Sequence, residues 1–235
     1  MNDIKCVYNE ISPNMCELSF ISEVQGIATT YANLYRRALL QGTPILSVAG
    51  IKCTSNGHVY RNLFEIVPGV SNSLIDINTM LHTAVFDIDT DCDDIVLTIN
   101  IAGTVKLSDI CNKYVVSYGD IGDGGINLVS EDKVLTTVVD DRSLTLDIYL
   151  KKGVGFSPKD INTQSFIDAL GNSNINDWII SDSKHSGIVS VSYHDEVVLG
   201  KQTVVLGITS YKNQIRTIVQ ECRDRVVSQL NGLEI

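Results

Sequence analysis

The densest run of ionisable side chains is Asp87-Ile-Asp-Thr-Asp-Cys-Asp-Asp94, in which carboxylates alternate with other residues. Such spacing suits a divalent cation bound by oxygen ligands. A calcium loop also needs Gly at its sixth position for a sharp turn and Glu at its twelfth as a bidentate ligand. Counted from Asp87 those positions hold Cys92 and Thr98; counted from Asp89 they hold Asp94 and Asn100. Both registers fail, and the run reads as a solvated turn between two strands. Carboxylate-assisted metal chemistry at Asp87–Asp94 is the enzyme reading that stays open. His82, His185 and His194 have no Ser, Cys or carboxylate at an informative spacing. His58 reads as structural. The chain has no Gly-x-Ser-x-Gly elbow and no His-Glu-x-x-His pair. The glycine-rich run Gly119–Gly125 is not followed by Lys-Ser/Thr, so it is read as a tight turn and not as a phosphate loop. Six cysteines at 6, 16, 53, 92, 111 and 222 form no C-x-x-C pair, and are expected to be reduced, mostly buried and free of metal. No catalytic residue, cofactor or metal is assigned.

A second group points to binding. Arg36-Arg37-x-x-Leu40, with Asn33 beside it, lies in Gly26-Ile-Ala-Thr-Thr-Tyr-Ala-Asn-Leu-Tyr-Arg-Arg-Ala-Leu-Leu-Gln-Gly-Thr-Pro44. Arginine's planar fork pairs with carboxylates or carbonyls at small entropic loss, which suits a protein interface. The alternative is a surface helix with solvated arginines. Tyr31, Leu34, Tyr35, Ala38 and Leu39 recur at three- and four-residue spacing and predict a helix with one apolar face. Thr29 or Thr30 is the expected cap, and Gly42 with Pro44 the stop.

The remaining elements must position this helix. Ile4–Tyr8 and Cys16–Ile21 read as a hairpin leading into it. Ile45–Cys53 is β-rich, and Leu74, Ile77 and Leu81 predict a short helix within 71–81. Period-two alternation predicts strands at 84–89, 94–101, 113–117, 127–129, 133–139 and 143–150. Residues 151–182 give no clear pattern. Strands follow at 187–194 and 203–210. A final helix spans 211–230, with Ile215, Ile218, Val219, Cys222, Val226 and Leu230 as its stripe.

At 235 residues, 44% apolar and 20% charged, the chain can bury a core of ordinary composition. A net charge of −10 argues against non-specific nucleic-acid binding, which needs clustered Lys and Arg. No apolar run reaches the ~18 residues of a membrane span. The start Met-Asn-Asp-Ile-Lys has no signal-peptide pattern, so a soluble cytoplasmic protein is expected.

Thr30-Tyr-Ala-Asn-Leu-Tyr-Arg-Arg-Ala-Leu-Leu40, with Pro44 in register, resembles the T-L-G-N-A-L-R-R-x-L-L-x-x-x-P signature of the bacterial RNA polymerase α subunit, N-terminal domain. Val48, Ile51 and His58-Val-Tyr60 resemble V-x-x-V-x-I-x-G-V-x-H-E-Y. Gly69-Val70 with Leu74-Ile-Asp-Ile77 and Leu81 resembles G-V-x-E-D-I-x-E-I-x-x-N-L-K, and Lys151-Lys-Gly-Val-Gly-Phe-Ser-Pro158 resembles R-G-x-G-Y-V-P. Leu-Gly-Asn-Ala-Leu of the signature is here Tyr31-Ala-Asn-Leu-Tyr35, a bulkier helix, and a few extra residues lie between Tyr60 and Gly69.

The resemblance implies an α+β fold. Residues 1–44 and 180–235 would form a discontinuous dimerisation domain of a sheet plus two helices, and 45–179 an inserted β-rich domain. It implies a non-catalytic scaffold that dimerises and assembles the β and β′ subunits, with ω and sigma factor in the same complex and no direct DNA contact by these residues. Arg36, Arg37, Leu40 and Asn33 would dock β or β′. Tyr31, Leu34, Tyr35, Ala38, Leu39, Ile215, Val219, Cys222, Val226 and Leu230 would form the dimer interface, with a second copy or a smaller-faced paralogue. A regulatory module that keeps the fold but does not join the core enzyme is the alternative.

Overall fold

A computed structural model describes residues 4–88, 92–121, 125–139, 143–172, 174–198 and 200–231. Strands β1 (Lys5–Ser12) and β2 (Met15–Ser22) lead into helix α1 (Ile27–Gly42). Then come β3 (Ile45–Ser55), β4 (His58–Tyr60), α2 (Leu74–Thr83), β5 (Phe86–Ile88), β6 (Asp94–Ile101) and β7 (Gly103–Lys106). They are followed by α3 (Leu107–Lys113), β8 (Val115–Tyr118), β9 (Ile126–Leu128), β10 (Val134–Val138), β11 (Leu144–Gly153) and β12 (Gly155–Ser157). Helix α4 (Lys159–Leu170), β13 (Ile179–Ile180), β14 (Ser183–His185), β15 (Ile188–Val198), β16 (Lys201–Ser210) and α5 (Ile215–Asn231) complete the α+β chain. It divides into two compact units, Met1–Pro44 with Ser186–Ile235, and Ile45–His185. The chain returns to the first unit at Ser186, later than 180, because β13 pairs with β3 and β14 with β12 inside the second.

In the first unit the two ends of the chain share an antiparallel sheet of order β1-β2-β16-β15. Successive strand residues face opposite ways, so Cys16, Leu18 and Phe20 of β2 lie on the same face as Val204, Leu206 and Ile208 of β16. Helices α1 and α5 bury that face.

The second unit is built on a sheet of order β8-β6-β11-β3-β5-β9, with β4 and β13 also on β3. Strand β3 is buried along nearly its whole length, as a strand covered on both sides must be. One apolar cluster joins it to α2 and α3, and a smaller one packs Ala49, Val96 and Tyr149 against Phe166 of α4. Ser73 caps α2 by accepting from the Asp76 N–H, while Asp76 accepts in return from the Ser73 N–H. Helices α3 and α4 were not expected; the strand predicted at 113–117 begins only at Val115, after α3.

Candidate functional site

Helix α1 carries every residue singled out for docking, and its ends are fixed by side chains from distant parts of the chain. The helix starts at Ile27 with Gly26 as its cap, in a left-handed conformation (φ 89°), and no side chain caps it locally. The expected Thr29 or Thr30 cap is thereby corrected. Thr30 donates back to the Gly26 carbonyl, and Thr29 accepts from Gln202 of β16. The Gln202 carbonyl oxygen takes the Gly26 N–H at 2.8 Å, so one amide from the sheet secures the start of the helix.

At the other end Thr43 donates to the Leu39 carbonyl and Arg225 of α5 donates to the Gly42 carbonyl. A cation there complements the partial negative charge of a helix C-terminus. A Cβ on Gly42 would sit 2.6–2.9 Å from the Arg225 guanidinium, the flexible end of that side chain, which would have to shift to admit it. Arg225 Nε and Nη2 are buried and have no hydrogen-bond partner among the described residues.

Between these anchors the buried stripe is Ala28, Ala32, Tyr35 and Leu39. Tyr35 packs its ring 5.0 Å from Phe20, and Cys222 Sγ approaches the Tyr35 carbonyl at 3.7 Å. Burial pushes the Tyr35 hydroxyl up to about 12 and the Cys222 thiol up to about 11, so both stay neutral near pH 7. At about 100° per residue, this stripe separates two flanks. Tyr31, Leu34 and Ala38 lie on one and are half-buried; Asn33, Arg36 and Leu40 lie on the other, with Asn33 and Arg36 exposed and Leu40 half-buried. Arg37 is exposed on the back of the helix, opposite the buried stripe. Neither Arg36 nor Arg37 makes an ion pair or side-chain hydrogen bond among the described residues.

The residues expected at a dimer interface thus fall into two sets. Tyr35, Leu39, Ile215, Val219, Cys222 and Val226 are spent inside the chain, in the core shared by the sheet, α1 and α5. Tyr31, Leu34, Ala38 and Leu230 keep accessible surface. Sequence reasoning missed Gln202 and Arg225, the two side chains that fix the helix ends. A polar residue on the buried face of β16 and a basic residue flanking the α5 stripe were the available signals.

Of the Asp87–Asp94 run, residues 89–91 lie outside the described residues. Asp94 accepts from Tyr149 at 2.5 Å, and among the described residues no group of three or more His, Cys, Asp or Glu could hold a metal. Among the described residues no helix is long and apolar enough to cross a membrane.

The architecture defines the class: an α+β chain whose two ends together form one unit and whose middle forms a second. No family model matches the chain. It is similar to the DNA-directed RNA polymerase subunit alpha of Onion yellows phytoplasma, at 25% identity over 86% of this chain and 57% of that protein. It is similar to the same subunit of Mycoplasma capricolum, at 29% identity over 75% of this chain and 52% of that one, and of Thermotoga maritima, at 25% over 76% and 48%. The chain spans about half the length of the curated relatives it matches. It is a divergent α-like relative of the RNA polymerase α subunits.

Proposed function

We propose that this chain is a non-catalytic α-type subunit of a DNA-directed RNA polymerase, which pairs with a second α-type chain and docks β and β′. The observation that carries this is the division of α1 into two flanks around a buried stripe, one apolar and half-covered, the other bearing arginine. Such a helix can bind two partners at once without competition for the same side chains. Tyr31, Leu34 and Ala38, with Leu230 of α5, supply the pairing surface. Arg36, Arg37, Asn33 and Leu40 supply the docking surface, where exposed guanidinium groups are ready to pair with carboxylates or backbone carbonyls of a large subunit.

Whether the partner is a second copy or a paralogue turns on fewer residues than the helix sequence suggests. The bulk at Ala32 and Tyr35 is buried within the chain, so overpacking of a self-dimer rests on Tyr31 and Leu34 alone.

Arg37→Ala in the full chain tests the docking role. Its side chain is exposed and unpaired among the described residues, so stability should change by no more than about 0.5 kcal/mol, while co-purification of β and β′ with the tagged chain from its own cells falls sharply. Undiminished incorporation would remove Arg37 from the docking surface. If the unaltered chain recovers neither large subunit, the regulatory-module reading replaces the scaffold. Intact-mass measurement of the same preparation separates self-pairs from a paralogue.

A further inference from the structure

Strand β15 is bonded to β16 along one edge, and no described strand lies on its other edge. The unpaired N–H and C=O groups of such an edge match the backbone of another extended strand. Val191, Tyr193, Asp195 and Val197 stand opposite Ile208, Leu206, Val204 and Gln202 of β16, so these four face the side on which the helices lie. Tyr193 and Val197 are exposed there, 42% and 61%.

Helix α1 runs beside β15 in the opposite direction. At one end the Gln202 amide donates both to the Thr29 hydroxyl and to the Asp195 carboxylate. At the other the Gly187 N–H donates to the Thr43 carbonyl. Thr29, Arg36 and Thr43 are each seven residues apart, a spacing that returns to within about 20° of the same line of a helix. Arg36 therefore faces β15. It is midway between Thr29 and Thr43, as Val191 is midway between Asp195 and Gly187, which sets Arg36 level with Val191. Arg36 is exposed and makes no ion pair among the described residues. Asp195 makes none either, since its donor at 3.1 and 3.2 Å is a neutral amide.

We propose that β15 pairs edge to edge with β15 of a second copy of this chain, antiparallel about a two-fold axis at Tyr193. In that register Asp195 of each strand falls opposite Val191 of the other, level with the other copy's Arg36, and two carboxylate–guanidinium pairs form by symmetry. Moving the axis to Ser192 or His194 sets Asp195 opposite Val189 or Tyr193 instead. Any extended segment matches the backbone; charge selects a second copy, because α1 and β15 together carry both halves of the pair. On the outer face Glu196 meets Ser190 and His194 meets Ser192, so no like charges are opposed. The surface lies across α1 from Tyr31, Leu34 and Ala38 and leaves that flank free. Copies joined this way have no free Arg36 for β or β′; that consequence, unlike the pairing, rests on the docking role proposed above.

Tyr193→Cys in the full chain tests the register, because a residue on the axis meets its own counterpart. Opposed Cβ atoms lie about 4.5–5.5 Å apart, close to disulfide range. Mild oxidation should join residue 193 to residue 193, as located by mass spectrometry of proteolytic peptides. Ser192→Cys and His194→Cys should crosslink to each other in a mixture and not to themselves. Arg36→Glu in the Tyr193→Cys chain should slow crosslinking about tenfold; Lys159→Glu, the same change of charge in the other unit, should not. Thermal unfolding matched to the unaltered chain shows that each variant is folded. No disulfide at 193, self-crosslinking at 192 or 194 as fast as at 193, or indifference to Arg36→Glu would each overturn the proposal. So would a disulfide from 193 only to another protein in cell extract, which would give the edge to a different partner. The crosslinked pair should recover less β and β′ than the same sample after reduction. Equal recovery would mean that Arg36 is not covered and would overturn the pairing geometry. If the reduced sample recovers neither large subunit, the docking role fails while the 193–193 disulfide still supports the pairing.

Discussion

Helix α1, of 16 residues, and helix α4, of 12, draw on apolar burial and hydrogen bonding in different proportions. Helix α1 buries four side chains, Ala28, Ala32, Tyr35 and Leu39, all apolar or aromatic. Helix α4 buries two, Phe166 and the polar Asn162. The first is kept in place by apolar surface removed from water, a force without direction that tolerates imprecise geometry. The second adds to the packing of Phe166 a set of hydrogen bonds from Asn162 with particular partners, in which each unmade bond strands a buried group. Two helices of one chain can therefore differ in how they fail. Loss of volume weakens the first, and loss of a donor weakens the second.

The sharpest test of this contrast is Leu39→Ala. Leu39 is fully buried between the sheet and α5, and truncation in such a site costs about 2–5 kcal/mol through lost transfer energy and the cavity left behind. Denaturant unfolding should show the midpoint falling by the corresponding amount. An unchanged midpoint would mean that Gln202 and Arg225, not the stripe, hold α1 in place.

Asn162→Ala comes next. It leaves the Ser157 hydroxyl without its acceptor and removes the donor to Ser181 and Ser183. Stranding buried polar groups costs about 1–3 kcal/mol, measured in the same unfolding experiment. If Asn162→Leu proves as stable as the unaltered chain, apolar packing is sufficient for α4 as well, and the distinction between the helices disappears.

The same contrast explains which parts of the fold were legible in the sequence. Helix α1 shows in the spacing of its apolar residues, although periodicity alone did not separate the core-facing Tyr35 and Leu39 from the half-covered Tyr31, Leu34 and Ala38. Strand β2 shows because its inward residues Cys16, Leu18 and Phe20 alternate with others. Helix α4 was invisible because one of its two anchors is an asparagine, which no hydrophobic pattern registers. Strands β12, β13 and β14 are too short to alternate. In the candidate site, Arg36 and Arg37 were readable from their types and spacing. Gln202 and Arg225 were not, since each reaches α1 from across more than 150 positions of sequence, and only the fold brings them there.

The smallest expected effect is on acid stability, and it concerns the partners of Asn162. His185 Nδ1 lies 3.2 Å from the Ile45 carbonyl, which can only accept, so Nδ1 carries the ring proton. Nε2 then accepts from the Ser183 hydroxyl at 2.7 Å, and the neutral ring is fully bonded. Burial holds the His185 pKa below the usual 6.5; the bond to Ile45 opposes this shift and the charge of Lys151 adds to it. His82 is lowered too, by burial, with Asp182 opposing. Above pH 6.5 both rings are neutral folded and unfolded, so their contribution is fully present there. As pH falls through 6.5 the unfolded chain takes up protons that the folded chain refuses, and stability declines until the folded values are passed, with a limiting slope of about 1.4 kcal/mol per pH unit for each ring. His82→Gln isolates the contribution of His185. Unfolding free energy that still falls between pH 7 and 5.5 in that variant, and no longer does so when Asn162→Ala is added, ties the acid sensitivity to the node that anchors α4. If the slope is unchanged by Asn162→Ala, the ring is held neutral by burial alone and the hydrogen-bonded node has no share in it.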